Sequence, residues 1–280
     1  MKRIAIYGKG GIGKSTISSN LTACMANMGY RMMQIGCDPK HDSTQMLCGN
    51  TDTLLDTLRR KGNETQLEDV VHKGCLGIYC IEIGGPQPGV GCAGRGIIRG
   101  IELIKKLNAF ETYRIDVCIY DVLGDVVCGG FFEPIRRGGT DEVYIVTSGE
   151  FNSLFAANNI CCGFINSVSP NDKVRIGGII GNLRGLPNEE NILCTFANHI
   201  GLPLVGIVPR DIRIEQTTNH SIPLVCSDPN HILTDNFQTI AKKILEGIPD
   251  CNHLTPYEFD ELKVMQRKLT ENARDNYDYP

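Results

Sequence analysis

Gly8-Lys9-Gly10-Gly11-Ile12-Gly13-Lys14-Ser15-Thr16 follows the apolar run Ile4–Tyr7 and opens a helical pattern extending from Ser15 to Met28. A strand, a glycine loop closed by Gly-Lys-Ser and a helix form the P-loop arrangement. Its glycines let backbone N–H groups converge on phosphate oxygens, and the helix N-terminus adds partial positive charge. Within the loop Lys14 is placed to reach β- and γ-phosphates, and the Ser15 hydroxyl to ligate Mg²⁺. Gly8, Gly10 and Gly13 also satisfy the dinucleotide pattern GxGxxG. A dinucleotide site has no use for the Lys14-Ser15 pair, however, and no acidic residue stands at the required distance beyond it. Lys9, a second lysine early in the loop, marks the deviant form in which that side chain reaches the phosphates of a facing subunit. The other reading of Lys9 is a solvated loop residue.

Outward from this loop, apolar runs at Met32–Gly36, Ile78–Ile83, Ile115–Asp121, Glu142–Val146, Arg175–Ile180 and Leu204–Val208 alternate with helical stretches near residues 97–108, 151–165, 188–200 and 232–246. That alternation predicts an α/β fold, a single P-loop NTPase domain over residues 1–280 with a mostly parallel, doubly wound sheet flanked by helices. Thr255-Pro256-Tyr257-Glu258 reads as a capping box with proline at the first helical position. Phe259, Leu262, Met265 and Leu269 follow at helical spacing, so residues 251–280 are expected to form a C-terminal helix and tail.

Strand C-termini in a doubly wound sheet point into the ligand crevice, which gives the polar residues there a purpose. The second strand ends in Gly36-Cys37-Asp38-Pro39-Lys40-His41-Asp42-Ser43-Thr44. Asp38 is a candidate to orient an attacking water, Asp42 a candidate near Mg²⁺, and Lys40 a group facing the phosphates. Asp121 ends an apolar strand as a Walker B carboxylate does. Gly124-Asp125 follows, and the glycine allows the backbone to turn when a γ-phosphate leaves.

The chain carries 13 cysteines, too dilute and odd in number for a disulfide scaffold. Most, such as Cys24, Cys80, Cys118 and Cys194, lie in apolar elements and read as small buried hydrophobes. Cys92, in Gly89-Val90-Gly91-Cys92-Ala93-Gly94-Arg95-Gly96, and Cys128, in Val126-Val127-Cys128-Gly129-Gly130, differ: both are loop cysteines surrounded by glycine. Such loops suit the sulfurs of an iron–sulfur cluster, and two thiolates per chain would make a [4Fe–4S] set on the two-fold axis of a dimer. A pair of redox-sensitive thiols is the other reading. Cys128 follows Asp121 closely enough that the two lie at most roughly 23 Å apart along the chain.

Hydrophobic residues make up 41% and charged ones 21%, and the net charge of −4 is spread evenly. That balance leaves no footprint for nucleic acid or an anionic membrane surface. No run approaches the roughly 18 apolar residues of a membrane span, and Met1-Lys2-Arg3-Ile4 lacks the shape of a signal peptide. A cytoplasmic protein is expected.

Taken together, GKGGIGKST, GCDPK-x-DST, GGPxPGVGCAGRG and YDVLGDVVCGGF resemble the nitrogenase iron protein and its nitrogenase-like relatives, as do AANNI at 156–160 and VPRD at 208–211. The resemblance runs from Ile4 to about Lys243. It implies a homodimer with one bridging [4Fe–4S] cluster and one MgATP per subunit. It also implies a ferredoxin or flavodoxin donor upstream and transient docking to a larger catalytic partner. Cys92 and Cys128 would be the cluster ligands and Lys9 the cross-dimer lysine. Asn182 and Pro209-Arg210-Asp211 fall where that family contacts adenine, and Arg95 matches an arginine that some members have ADP-ribosylated. Phe131-Phe132-Glu133-Pro134-Ile135-Arg136-Arg137-Gly138-Gly139-Thr140 departs from the pattern, since an acidic residue is usual after the first arginine. His41, Arg99, Cys161-Cys162 and residues 181–185 also depart. These leave the partner open between a dinitrogenase and a complex acting on a tetrapyrrole or a small sulfur compound. Positioning ATPases share the deviant loop but lack both glycine-flanked cysteines, and an iron–sulfur carrier would usually show CxxC.

Overall fold

The computed structural model describes residues 1–85, 93–122, 132, 135, 137–169, 173–247 and 253–274. The described strands are β1 (Lys2–Gly8), β2 (Met32–Gly36), β3 (His72–Lys73), β4 (Tyr79–Glu82), β5 (Val117–Asp121), β6 (Glu142–Thr147), β7 (Arg175–Asn182) and β8 (Leu204–Val208). They form one sheet in the order β3-β4-β2-β5-β1-β6-β7-β8. Every pairing is parallel except that of the two-residue edge strand β3 with β4. The order reverses at β1: the chain first builds away through β2 and β4, returns to β5, then continues on the far side through β6, β7 and β8.

Alternation along β1 shows why the sheet is buried on both faces. Ile4 and Ile6 point to one apolar layer and Ala5 and Tyr7 to the other, all fully buried. The first layer is completed by α1 (Lys14–Asn27), through Ile17, Leu21 and Met25, and by the helix Ile232–Glu246, through Phe237, Ile240 and Ile244. The second is covered by α2 (Leu54–Lys61), α3 (Ala93–Lys106), α4 (Phe151–Ser167) and α5 (Glu189–Ile200). Among the described residues no helix is long and apolar enough to cross a membrane.

Two expectations need correction. The C-terminal helix starts at Phe259, not at Pro256. The Asn158 amide accepts from the Tyr257 N–H at 2.7 Å and donates to the Tyr257 carbonyl at 2.9 Å, so this backbone is held out of a helix. The Tyr257 ring stacks on His199 and Phe196, with centroids 3.6 and 6.0 Å away. From there the helix lies on the body of its own chain, with Leu262 fully buried and Phe259 edge-on to Phe151 and Phe155. Cys194, read as a buried hydrophobe, is exposed. Ile192, Leu193, Phe196, Ala197 and Ile200 define the inward face of α5, and Cys194 falls opposite them. Cys24, Cys80 and Cys118 are buried as read.

Candidate nucleotide site

All described candidate residues stand at the carboxyl ends of strands. The glycine loop leaves β1, residues 37–44 leave β2, Asp121 ends β5, Asn182 ends β7, and Pro209-Arg210-Asp211 follow β8. The loop turns into α1 at Gly13, whose φ of 97° is open to glycine and strained for other residues. Ile12 donates its N–H to the Lys9 carbonyl at 3.2 Å, closing the loop on itself. Lys14 is buried, and its ammonium lies 3.2 Å from the same carbonyl. Gly8, Gly10, Gly11, Ser15 and Thr16 complete the cradle, and Lys9 beside them is half-buried.

Asp121 sits behind this loop on the next strand. It is 3% exposed, and its Oδ1 is buried with no hydrogen-bond partner. Burial raises its pKa, against the lowering effects of the Lys14 charge and of hydroxyl donation from Ser15 and Ser43. An orphaned carboxylate oxygen beside a lysine, a loop serine and a row of glycine N–H groups is a donor set that fits a hydrated Mg²⁺–polyphosphate. The carboxylate would take the water, and the lysine and N–H groups the phosphate.

The segment after β2 leans over the same region. Asp38 is half-buried and its carboxylate accepts from the Lys40 N–H at 2.9 Å, while Lys40 and Asp42 are exposed. Cys37 is fully buried with its thiol pushed well above the ordinary range by burial, so it belongs to the core.

A cavity of about 420 Å³ lies between the glycine loop and the exits of β7 and β8. Gly11, Gly13 and Thr16 of the loop line one side, and Asn182, Pro209, Arg210 and Asp211 the other. Direct bonds tie the halves together. Asn182 donates to the Ile12 carbonyl at 2.6 Å, and Arg184 to the Gly11 carbonyl at 2.6 Å. Arg210 donates to the Arg184 carbonyl at 3.0 Å. The Asp211 carboxylate caps the helix Ile212–Asn219 by accepting from the Arg213 N–H at 2.8 Å, so its own charge is partly engaged.

Three further residues shape this site, of which Arg184 stands out in the sequence only as one of the departures at 181–185. Glu189, 4% exposed, gathers four backbone N–H donors: Gly149, Arg184 and Gly185 at 2.9 Å and Leu186 at 3.0 Å. It thereby fixes the loop that carries Arg184, the second of the three. Glu82, the third, ends β4 and is 1% exposed. Burial lifts its carboxyl to about 8, opposed by donation from the Thr44 hydroxyl and N–H. Arg95 is exposed in the first turn of α3. Cys92, Cys128 and Asp125 lie outside the described residues.

Known proteins extend this geometry. The family described as 4Fe-4S iron sulfur cluster binding proteins, NifH/frxC family, matches residues 2–272. A nitrogenase iron protein from Methanospirillum hungatei JF-1 is 46% identical over 272 residues, covering 95% of each chain. The cell division ATPase MinD of Pyrococcus furiosus shares the fold with a TM-score of 0.66 at 18% identity, covering 88% of this chain and 98% of its own. The septum site-determining protein MinD of Pyrococcus horikoshii OT3, solved with Mg-ADP, gives 0.65 at 20% identity, covering 87% and 95%. At those identities the MinD structures share architecture alone, whereas the family match spans nearly every residue. The chain is a member of the NifH/frxC family of 4Fe-4S iron–sulfur cluster binding proteins.

Proposed function

We propose that this protein is an ATP-dependent reductase of the nitrogenase iron-protein type. It would act as a homodimer that passes low-potential electrons to a larger catalytic protein. The observation that carries the reading is the cavity in which the glycine loop meets Asn182 and residues 209–211, in a chain of this family. Gly8 to Thr16 hold the phosphates, with Lys14 neutralising the β- and γ-groups and Lys9 reaching toward the partner subunit. Ser15 holds Mg²⁺, and Asp121 and Asp42 orient its water shell. Asp38 orients the attacking water, Lys40 supports the phosphate side, and Asn182, Pro209, Arg210 and Asp211 take the adenine. Cys92 and Cys128 of each subunit hold the [4Fe–4S] cluster, and Asp125 lies on the segment that joins the phosphate end to Cys128. When bound, the cluster supplies a one-electron carrier whose potential the surrounding backbone donors set.

Arg99 and the Arg136-Arg137 pair favour a second reading for the partner: a nitrogenase-like complex acting on a tetrapyrrole or a small sulfur compound. Basic residues where acidic ones are usual penalise docking to the common dinitrogenase surface. The test is iron and sulfide content per dimer after anaerobic purification, with iron chelation followed with and without MgATP. Four irons per dimer, released faster with MgATP, is the expected result. An iron-free dimer would overturn the reductase reading and favour a positioning ATPase.

A further inference from the structure

Residues 38–44 are the first segment a γ-phosphate would move, and both of their ends rest on the exit of β4. At one end the Glu82 Oε1 accepts from the Thr44 N–H at 2.5 Å and from the Thr44 hydroxyl at 2.7 Å. Thr44 and Glu82 are 0% and 1% exposed, so water cannot replace these bonds. The second carboxylate oxygen, Oε2, is buried without a partner above Gly36. A Cβ on Gly36 would lie 2.0 Å from it, so this carboxylate occupies space that only a glycine leaves. At the other end Pro39 presses on Gly85, where a Cβ would come within 2.6 Å of the proline Cβ. Arg59 donates to the Gly85 carbonyl at 3.0 Å and holds that point from outside.

The arrangement has no structural economy to recommend it. A buried carboxylate with one orphaned oxygen is costly, and an apolar residue at the end of β4 would pack there at less expense. What it provides is a rigid link between residues 38–44 and residues 82–85 at the exit of β4. Ser43 adds a bond to the other side, since its carbonyl accepts from the Gln34 amide at 2.8 Å.

We propose that Glu82 is a positioning residue that carries the nucleotide state from residues 38–44 to residues 83–85, the stretch that leads in sequence toward Cys92. The proposal rests on the reductase reading, in which Cys92 is a cluster ligand. In it, movement of Asp38 and Pro39 toward the phosphates shifts Gly85, while Thr44 and Glu82 form the fixed pivot.

The test compares wild type, Glu82→Ala, Glu82→Gln and Thr44→Val as iron-loaded dimers. Two quantities are read: the MgATP acceleration of iron chelation, and amide hydrogen exchange at residues 83–85. Nucleotide affinity is measured alongside. Glu82→Ala is expected to lower the MgATP acceleration by about tenfold, within the range of a coupling contact, and to abolish the nucleotide-dependent exchange change at residues 83–85. The response is compared at saturating MgATP, so that a change in nucleotide affinity does not enter it. Glu82→Gln keeps an acceptor for Thr44 and should retain the response. Thr44→Val, which keeps the N–H bond and loses the hydroxyl, should show an intermediate loss and serves if Glu82→Ala does not fold. A responding wild type with an equally responsive Glu82→Ala or, in its place, Thr44→Val would overturn this inference alone. A wild type that holds iron yet ignores MgATP would overturn it together with the reductase reading.

Discussion

Replacing Glu189 by alanine should loosen the loop that closes the base side of the cavity, and its cost can be worked from four bonds. The carboxylate accepts from Gly149, Arg184, Gly185 and Leu186 at 2.9–3.0 Å, and Glu189 is 4% exposed. A hydrogen bond to a charged acceptor contributes about 1.5–3 kcal/mol net, but the loop donors 184–186 can turn to water once released. Counting the buried Gly149 donor in full and the other three at a fraction gives roughly 3–4 kcal/mol. At 1.4 kcal/mol per decade that corresponds to a rise of more than 100-fold in exchange rate at these amides, if they open locally. Native-state hydrogen exchange reads this without requiring reversible unfolding of a dimer. Arg184 donates to the Gly11 carbonyl, so weaker nucleotide binding should accompany the change. Exchange at residue 149 and at 184–186 within threefold of wild type would refute the reasoning, because the carboxylate would then be replaceable by water.

Gly36→Ala forces a Cβ to within 2.0 Å of Glu82 Oε2 and 2.8 Å of Ser43 Cβ, and should destabilise by about 2 kcal/mol in thermal unfolding. Adding Glu82→Ala should recover part of that loss. Lys14→Ala removes a buried ammonium aimed across the loop and should abolish ATP binding in calorimetry while the circular dichroism spectrum is retained. Cys128→Ser should give dimers without iron; a full iron complement would remove Cys128 from the ligand set. Hydrogen bonding by the Arg31 side chain holds the Asp116 carboxyl down at about 2. A depressed acid stabilises the fold above its unfolded pKa and loses that contribution as pH falls through the folded one. The Asp116 contribution therefore disappears between about pH 4 and pH 2. Arg31→Ala should move the carboxyl back toward the ordinary range, which carboxyl NMR would record.

Much of the sheet was legible because its strands are buried on both faces and read as continuous apolar runs. The glycine loop was legible because its chemistry is local. β3 was missed, since two residues carry no period and only pairing with β4 makes them a strand. Leu54–Lys61 was passed over although Thr53, accepting from the Asp56 N–H at 3.1 Å, caps it in the usual way. Glu82 and Glu189 were illegible for a different reason. A carboxylate at a strand end looks like any solvated one, and a glutamate in the first turn of a helix looks like a partner for the helix dipole. Their roles come from burial and from donors 38 to 40 residues away, or closer but across a turn, which no local pattern encodes.

Gln34 gives the first segment a clock. Inside the core its amide donates to the Ser43 carbonyl at 2.8 Å and accepts from the Thr22 hydroxyl at 2.7 Å, so the segment is bolted to α1 at its far end. The exposed stretch between Asp38 and Ser43 is then a short tether with its far foot fixed. Loops of that kind rearrange in nanoseconds to microseconds, orders of magnitude faster than domain rotations or subunit rearrangements. The first segment should thus reach its nucleotide-bound shape almost as soon as nucleotide arrives, and any slow phase seen after MgATP addition belongs to the dimer as a whole.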